Sequence, residues 1–374
     1  MTHINRILMV TPRYLPLLGG IETHVREVAS MLMQTDMDVT ILTTMPDTEN
    51  VSLPQQEMMN GVCVWRVPAW PPHSDLYIAP QMYSLVANGG WDLVHCQGCH
   101  TFVPPIAMLA ARKANIPYVV TLHTGGHSSP FRNSIRGIQW RSLRPLLAGA
   151  RKLIGVSRYE ANYFRDTLHL PNEQFAVIPN GCTFSRFSDL PPRTTDKTLI
   201  FSVGRLEKYK GHQHLITALP YIRQQYPNTH AVILGTGSYE ADLQALAYRT
   251  GVAEYVEISS IPPGNRRAMA ERLSQASLVV LLSDYESHPQ AVMEALTLKL
   301  PVLVTDTSGL RELAEDGYVS SVPLHSTPTQ IADAIVQQLD NPLIPPPVEL
   351  PTWGGYMKQL LNIYGEIVKL PVAV

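Results

Sequence analysis

Short apolar runs alternate with helical patterns along almost the whole chain, and this alternation constrains the fold more than any other feature. Such runs, separated by amphipathic stretches, predict buried parallel strands joined by crossover helices. In the first half the predicted strands are Ile7–Val10, Val39–Thr43, Val62–Val67, Leu93–Cys96, Tyr118–Leu122, Leu153–Val156 and Ala176–Ile178. In the second half they are Leu199–Val203, Ala231–Leu234, Val256–Ile258, Leu278–Leu282 and Val302–Thr305. The sequence therefore predicts an α/β protein with doubly wound parallel sheets.

The length of 374 residues favours two domains over a single core. A polar stretch with a proline pair, Arg186–Lys197, separates the two sets of strands, and a second proline-rich stretch, Asn341–Pro351, precedes a last helix at about Trp353–Val368. Because ligands of open α/β sheets bind beyond the carboxyl ends of the strands, two such domains facing each other predict a site in a central cleft. The predicted parts are a Rossmann-like domain at residues 1–185, a second at 196–350, and a helix at 351–374 that returns to the first domain.

Composition and charge exclude several classes of protein. The formal net charge of -2 gives no overall bias toward nucleic acid, and no apolar run reaches the roughly 20 residues that span a bilayer. The first ten residues lack the layout of a signal peptide, so we expect a cytoplasmic protein, with peripheral attachment to the cytoplasmic membrane face as an extension.

Two short motifs carry alternatives to a simple packing role. Cys96 and Cys99 form C-x-x-C followed by His100, the attachment pattern of a c-type haem or a redox pair, although the same residues also fit the end of a buried strand. Asp36 and Asp38 form D-x-D, but they precede a strand, at the edge of the sheet away from the expected cleft. No cluster has zinc-ligand spacing, and we predict no metal site.

The stretch Ser283–Pro301 follows a buried strand and combines a polar loop with a helix. Pro289 suits the first helical position, with Ser287 or His288 as its cap. Glu286 lies in the loop and Glu294 on the helix. A helix N-terminus at a strand end favours phosphate, and carboxylates accept strong hydrogen bonds from hydroxyls. This combination suits a nucleotide sugar, although solvated carboxylates are the simpler alternative.

Other strand ends carry further candidates. Gly19 and Gly20 open a helix after the first strand, where paired glycines allow close approach of a ligand. His123 follows the fifth strand and could transfer a proton or bind a hydroxyl. Arg205 and Lys210 follow the first strand of the second domain, where they could neutralise a departing diphosphate without a metal. A flexible turn, a core histidine and a solvated basic loop are the respective alternatives.

A long segment of the first domain has no acidic residue, since none lies between Asp92 and Glu160. Within it, Arg132–Lys152 interleaves arginines with apolar side chains that include Trp140. Such a segment could meet anionic lipid headgroups or a phosphorylated acceptor, or could be a solvated face whose apolar side packs inward.

Together these pieces resemble the retaining glycosyltransferases of family 4, which have the two-domain GT-B fold. The resemblance extends over nearly the whole chain. It rests on the glycine pair, His123, the E-x7-E pair of Glu286 and Glu294, and short motifs of the second domain. Those motifs, and one before the linker, are Pro179-Asn180-Gly181, Gly204-Arg205, Lys210-Gly211, Gly235-x-Gly237 and Ser308-Gly309-Leu310-Arg311-Glu312.

The resemblance implies a role for each matching position. Arg205 and Lys210 would hold the diphosphate, Glu294 the ribose hydroxyls and Glu286 the donor sugar, while His123 would lie beside the reacting sugar. Four more positions would complete the donor site with Gly19 and Gly20: Gly235, Ile261, Gln290 and Ala291. The chain departs from the family pattern in having Pro289, Lys299 and Ser260 where glycines are usual.

The expected function is retaining transfer of a hexose, with glucose or a related sugar as first choice, from a UDP-sugar to an acceptor hydroxyl. The acceptor would be a saccharide or a lipid-linked or polysaccharide precursor, and neither a cofactor nor a metal would be required. Another GT-B activity, such as a nucleotide-sugar epimerase, and a non-catalytic nucleotide-binding protein are the alternatives. Nucleic acid is not an expected partner.

Overall fold

The computed structural model describes residues 4–17, 19–46, 53–71, 77–124, 130–182, 184, 187, 189–262, 264–344 and 350–369. The chain divides into two compact units. The first holds residues 1–124, 134–181 and 352–374, and the second is built on Cys182–Pro351.

The first unit is built on an eight-stranded sheet in which seven strands run parallel. Its strands are β1 (Arg6–Val10), β2 (Asp38–Thr44), β3 (Gln56–Met59), β4 (Val62–Val67), β5 (Leu93–Gln97), β6 (Tyr118–Thr121), β7 (Lys152–Gly155) and β8 (Phe175–Val177). Their order across the sheet is β3-β4-β2-β1-β5-β6-β7-β8, and only β3 pairs antiparallel among the described strands. Its first helices are α1 (Gly20–Leu32), α2 (Gln81–Asn88), α3 (Val103–Lys113), α4 (Pro130–Leu147) and α5 (Arg158–Leu168).

The second unit has a six-stranded sheet that is parallel throughout. Its strands are β9 (Thr198–Val203), β10 (Thr229–Leu234), β11 (Val256–Ser259), β12 (Leu278–Leu281), β13 (Val302–Asp306) and β14 (Ser320–Pro323). Their order is β11-β10-β9-β12-β13-β14, with the chain reversing direction across the sheet beside β9. Its helices are α6 (His212–Gln225), α7 (Glu240–Arg249), α8 (Arg266–Leu273), α9 (Gln290–Thr297), α10 (Ser308–Glu315) and α11 (Pro328–Asp340).

A C-terminal helix, α12 (Trp353–Lys369), belongs to the first unit. Its buried side chains, among them Tyr356 and Tyr364, pack with α1 and with one face of the first sheet. Gly181 lets the helix approach, because a Cβ there would lie 2.3 Å from the backbone nitrogen of Trp353. The packing of α12 thus depends on close contact with the chain just after β8.

The predicted α/β class is confirmed, since all described strands except β3 pair in parallel and most are joined by helices. Two strands were missed, β3 and β14, because QEMM and SSVP contain no apolar run. Both lie at a sheet edge, where pairing with one neighbour rather than burial on both faces defines a strand.

The basic segment 132–152 lies largely on α4. Trp140 is buried in the core of the first unit, and Leu143 and Leu146 pack against that core, so these apolar side chains are directed inward. Of the two alternatives that the sequence left open for the apolar side chains of this segment, inward packing is confirmed for Trp140. The reason is the 3.6-residue period of the helix, which separates its apolar and charged faces. Of the described residues, no helix is both long and apolar enough to cross a bilayer.

Candidate active site

The loop between β12 and α9 carries Glu286, and tertiary contacts fix its shape. Pro289 is the N-cap of α9 with an extended backbone, no side chain caps the helix, and the helix starts at Gln290. Our placement of Pro289 inside the helix, with Ser287 or His288 as cap, was therefore wrong. A Cβ on Gly309 would lie 2.1 Å from the carbonyl oxygen of Ser287, so the loop packs directly on the start of α10. This close backbone contact holds the loop against α10.

Lys210 and Glu286 form a largely buried ion pair at this loop. The Nζ of Lys210 lies 2.5 Å from Oε1 of Glu286, and their side chains are 15% and 12% exposed. Burial acts to lower the pKa of Lys210, but the charge and hydrogen bond of Glu286 outweigh it, so the pKa lies above its ordinary value. The structure thus brings together two residues that lie 76 positions apart in the sequence.

Two serines hold the Glu286 loop in place. The hydroxyl of Ser283 donates to Oε1 of Glu286 at 3.0 Å, and the backbone N–H of Glu286 donates to Oγ of Ser308 at 2.8 Å. The N–H of Gly309 also donates to the carbonyl oxygen of Glu286 at 2.8 Å. Ser308 has a φ of 45°, a left-handed conformation that few non-glycine residues adopt. Sequence reasoning assigned neither serine a role of its own, although Ser308 belongs to a motif on which the resemblance rests.

Arg205 lies in the loop after β9 with a side chain that is 61% exposed. Its guanidinium donates to the Tyr209 hydroxyl at 2.7 Å and pairs with Glu207 at 2.7 Å. Within this unit, both cations that we predicted at the diphosphate therefore contact carboxylates. A bound anion would have to share them with Glu207 and Glu286.

His212 holds the loop after β9 in place through two hydrogen bonds, and it was not identified from the sequence. Its two ring nitrogens lie 2.8 Å from Oγ of Ser202 and 3.1 Å from the carbonyl oxygen of Arg205. Burial lowers the pKa of His212 to about 4, so the imidazole is neutral near pH 7. Gly211, with a φ of 76°, lets the loop pass the end of β12, since a Cβ there would lie 1.9 Å from the carbonyl oxygen of Leu282.

Glu294 lies on α9 and is 6% exposed. Burial raises the pKa of its carboxyl group, and the charge and hydrogen bond of Arg266 on α8 act in the opposite direction. Sequence reasoning missed Arg266, because no motif connects it with α9. The pairing means that the carboxylate we assigned to ribose already has one strong donor.

Three other predicted donor-site residues lie in the first turn of α9 or after β11. Gln290 and Ala291 form the first turn of α9, and both are partly buried. Ile261 follows β11 and packs against the apolar core of the second unit, as does Ala291.

Packing requires glycine at both glycine positions after β10, because a side chain there would clash with the backbone of the loop after β9. A Cβ on Gly235 would lie 1.8 Å from the carbonyl oxygen of Gly204, and one on Gly237 would lie 2.3 Å from that of Leu206. The loops after β9 and β10 therefore run backbone against backbone. Close approach of a ligand remains a prediction for Gly235.

Gly19 and Gly20 lie at the start of α1 in the first unit, Gly19 as its N-cap. A Cβ on Gly20 would meet no heavy atom within 4 Å, so packing of the described residues does not require glycine there. The preceding loop is fixed by Arg66, whose guanidinium donates to the carbonyl oxygen of Leu15 at 3.0 Å.

His123 follows β6 with a φ of 48°, and it is 9% exposed. Its Nε2 lies 2.9 Å from Oε1 of Gln97 at the end of β5. Burial, with the nearby His24, lowers the pKa of His123 well below its ordinary value. The imidazole is therefore neutral near pH 7, and its role beside the reacting sugar remains a prediction.

The two C-x-x-C thiols are packing residues. Cys96 and Cys99 are completely buried, and burial raises the pKa of both thiols. Buried thiols with raised pKa values are poor nucleophiles and redox groups.

Comparisons with known proteins agree with this architecture. Residues 19–181 match the model of the glycosyl transferase 4-like domain, and residues 186–350 match that of glycosyl transferases group 1. The phosphatidyl-myo-inositol mannosyltransferase of Mycobacterium leprae is 25% identical over 97% of both chains. The GDP-mannose:cellobiosyl-diphosphopolyprenol alpha-mannosyltransferase of Komagataeibacter xylinus is 25% identical over 83% of this chain and 78% of its own length.

Among solved structures, Anabaena HepE in complex with UDP-glucose superposes with a TM-score of 0.70 at 18% identity. The match covers 98% of this chain and 99% of HepE. The two matched family models, which together span most of the chain, and the two doubly wound units lead to one assignment. The chain belongs to the family-4 type of glycosyltransferases with the GT-B fold.

Proposed function

We propose that this enzyme transfers a hexose from a UDP-sugar to an acceptor hydroxyl with retention of configuration, and that it needs no metal. The observation that carries the proposal is the Lys210–Glu286 pair, set beyond the carboxyl ends of β9 and β12. It combines a phosphate-binding cation with a hydroxyl-binding carboxylate in one largely buried place.

The second unit supplies groups for each part of a nucleotide sugar. Arg205 and Lys210 would neutralise the charge that develops on the departing diphosphate. Glu286 would accept hydrogen bonds from hydroxyls of the donor sugar, and Glu294 from those of the ribose. Support for a uridine nucleotide comes from HepE, which was solved with UDP-glucose. GDP-mannose, named for the Komagataeibacter relative, is the competing donor.

In the proposed reaction, the acceptor hydroxyl attacks the anomeric carbon on the face from which the diphosphate leaves. The bond from that carbon to the diphosphate oxygen breaks, a bond to the acceptor oxygen forms, and the acceptor's proton passes to the departing phosphate. His123 would bind a hydroxyl of the reacting sugar as a neutral imidazole. Positive charge from Lys210 and Arg205 lowers the barrier because it stabilises the leaving group more in the transition state than in the ground state.

A lipid-linked or saccharide acceptor is proposed to meet the first unit. The names of two relatives include a phosphatidylinositol and a diphosphopolyprenol acceptor. The exposed Arg141 and Arg144 of α4 could contact the anionic part of such an acceptor or of the cytoplasmic membrane face. This role would use only the charged face of α4.

The donor is tested by thermal shift followed by transfer. The full chain is heated with UDP, GDP and their hexose conjugates, each in EDTA and in magnesium. A nucleotide at 100 times its Kd stabilises the native state by about 2.7 kcal/mol, which for a domain of this size is a shift of about 5 to 10 °C. We expect UDP to give this shift in EDTA as well as in magnesium.

Transfer of radiolabelled sugar to lipid-linked or saccharide acceptors then separates an enzyme from a nucleotide-binding protein, which nucleotide hydrolysis would not. NMR of the product's anomeric centre reports retention. A rise in melting temperature with GDP but not with UDP would show that the donor is a guanosine nucleotide. A rise that needs magnesium would contradict metal independence.

A further inference from the structure

Two buried histidines of the first unit are in ring contact, and a third is close enough to act on both electrostatically. His24 lies on α1, His95 on β5 and His123 after β6, with exposures of 2%, 0% and 9%. The rings of His24 and His123 are in edge contact, with centroids 4.5 Å apart and an interplanar angle of 73°. Placing charge in such an interior is costly, so the imidazoles must be held neutral by hydrogen bonds that define their tautomers.

Gln97 selects the tautomer of His123. The amide Oε1 of Gln97 can only accept, so at 2.9 Å it requires Nε2 of His123 to carry the proton and donate. The other ring nitrogen, Nδ1, then keeps its lone pair and is an acceptor. Gln97 is completely buried, and its amide nitrogen has no hydrogen-bond partner among the described residues. Leaving a buried amide nitrogen without a partner is unfavourable, so the bond to His123 is the contact that holds this amide among the described residues.

His24 fixes the ring of His123 from the other side. Nδ1 of His24 donates to the side-chain oxygen of Asn180 at 2.8 Å, and its Nε2 accepts from the hydroxyl of Tyr356 on α12 at 3.3 Å. Asn180 belongs to the short Pro-Asn-Gly motif after β8. The imidazole that touches His123 is thus itself anchored by two separate parts of the chain.

We infer that Gln97 and His24 are positioning residues for His123: Gln97 keeps the proton on Nε2 and His24 fixes the ring, so that Nδ1 accepts a hydrogen bond from a substrate hydroxyl. The inference rests on the proposed function, in which His123 contacts the reacting sugar. It gives α12 a functional role, because Tyr356 orders His24. It also gives a reason for a completely buried polar amide at the end of β5.

Gln97→Met tests the amide, because methionine keeps the length of the side chain and removes its strong acceptor. We expect kcat to fall at least tenfold while the donor KM and the Kd of UDP change less than twofold. His24→Phe, which keeps an aromatic ring against His123 without hydrogen bonds, should also lower kcat more than KM.

Tyr364→Phe is the matched control. Its hydroxyl lies 2.7 Å from Nδ1 of His95, so the change removes a buried tyrosine–histidine hydrogen bond in the same core without altering a partner of Gln97 or His24. Its kcat should stay within twofold of the parent, even where its melting temperature falls as far as that of Gln97→Met. Equal losses of kcat in Tyr364→Phe and Gln97→Met would show a structural role and overturn the inference.

A readout independent of transfer comes from ¹⁵N NMR of the imidazole nitrogens, with His123 assigned by its missing signals in His123→Gln. The parent protein should show His123 with the proton on Nε2, and Gln97→Met should show a mixture of tautomers. A proton on Nδ1 in the parent would overturn the inference even in an active enzyme. Absence of transfer with the expected NMR result would instead refute the proposed function alone.

Discussion

Replacing Lys210 by Met removes one half of the Lys210–Glu286 pair and leaves a carboxylate that is only 12% exposed. Losing one partner of a buried pair costs about 3 to 5 kcal/mol, and the residual exposure places this pair near the lower value, about 3 kcal/mol. Glu286→Gln keeps an acceptor for the ammonium and should cost less, about 2 kcal/mol, in the range of charged hydrogen bonds. The double variant should cost no more than Lys210→Met alone, because neither charge is then left uncompensated.

The double-mutant cycle should therefore show a coupling free energy of about 2 kcal/mol, of the size found for residues in direct contact. The unfolding free energy is best followed by hydrogen–deuterium exchange of peptides from the second unit, because the two units need not unfold together. The exposed pair of Arg311 and Asp306 in the same unit is the control. Arg311→Met should cost less than about 1 kcal/mol.

The pH dependence gives a second check on the same pair. Because the folded-state pKa of Lys210 is raised, its contribution is fully present below the unfolded lysine pKa of about 10.4 and is lost as the pH rises through the folded value. The difference between parent and Lys210→Met should hold from about pH 6 to 9 and shrink above about pH 10.5. Additive single losses, or a difference that vanishes near neutral pH, would refute the buried ion pair.

Three further predictions concern binding, membrane contact and backbone strain. Glu294→Gln should weaken UDP binding about tenfold by calorimetry, whereas Glu286→Gln should mainly lower kcat, since a ribose contact is used equally in ground and transition states. The control is Glu257→Gln, which removes a half-exposed ion pair with Arg272 in the same unit. Equal losses of UDP affinity in Glu286→Gln and Glu294→Gln would refute the assignment. Replacing four arginines of the basic segment by Gln should abolish sedimentation with anionic liposomes at low salt, because each charge contributes on the order of 1 kcal/mol of binding free energy. The four are Arg132, Arg136, Arg141 and Arg144. Unchanged sedimentation would show that α4 is an ordinary solvated helix. Lys299→Gly should raise the melting temperature by a few degrees, because Lys299 has a φ of 58° and a left-handed backbone costs a non-glycine residue about 1 to 2 kcal/mol. The greater conformational freedom of glycine in the unfolded chain offsets part of this gain. An unchanged or lower melting temperature would show that this strain is absent.

The sequence by itself determined the architecture and most of the candidate positions. Twelve apolar runs at strand length, most of them separated by helical patterns, favour parallel sheets, because buried parallel strands form short continuous apolar runs and their connections are usually helices. The same pattern places Arg205, Lys210 and Glu286 at strand ends, and strand ends of parallel neighbours share one edge of a sheet. Edge strands β3 and β14 escaped this reasoning, since pairing rather than apolar composition forms them.

Only the tertiary structure decided which of these groups contact one another. No local signal connects Glu294 with Arg266 or His24 with Asn180, because ion pairs and buried hydrogen bonds depend on distances between distant segments. Burial likewise decides the charge of His123 and the raised pKa of Glu294, since desolvation is a property of the packed interior. The hydrophobic period of α4 is present in the sequence, but only the core around Trp140 shows which face of that helix meets water.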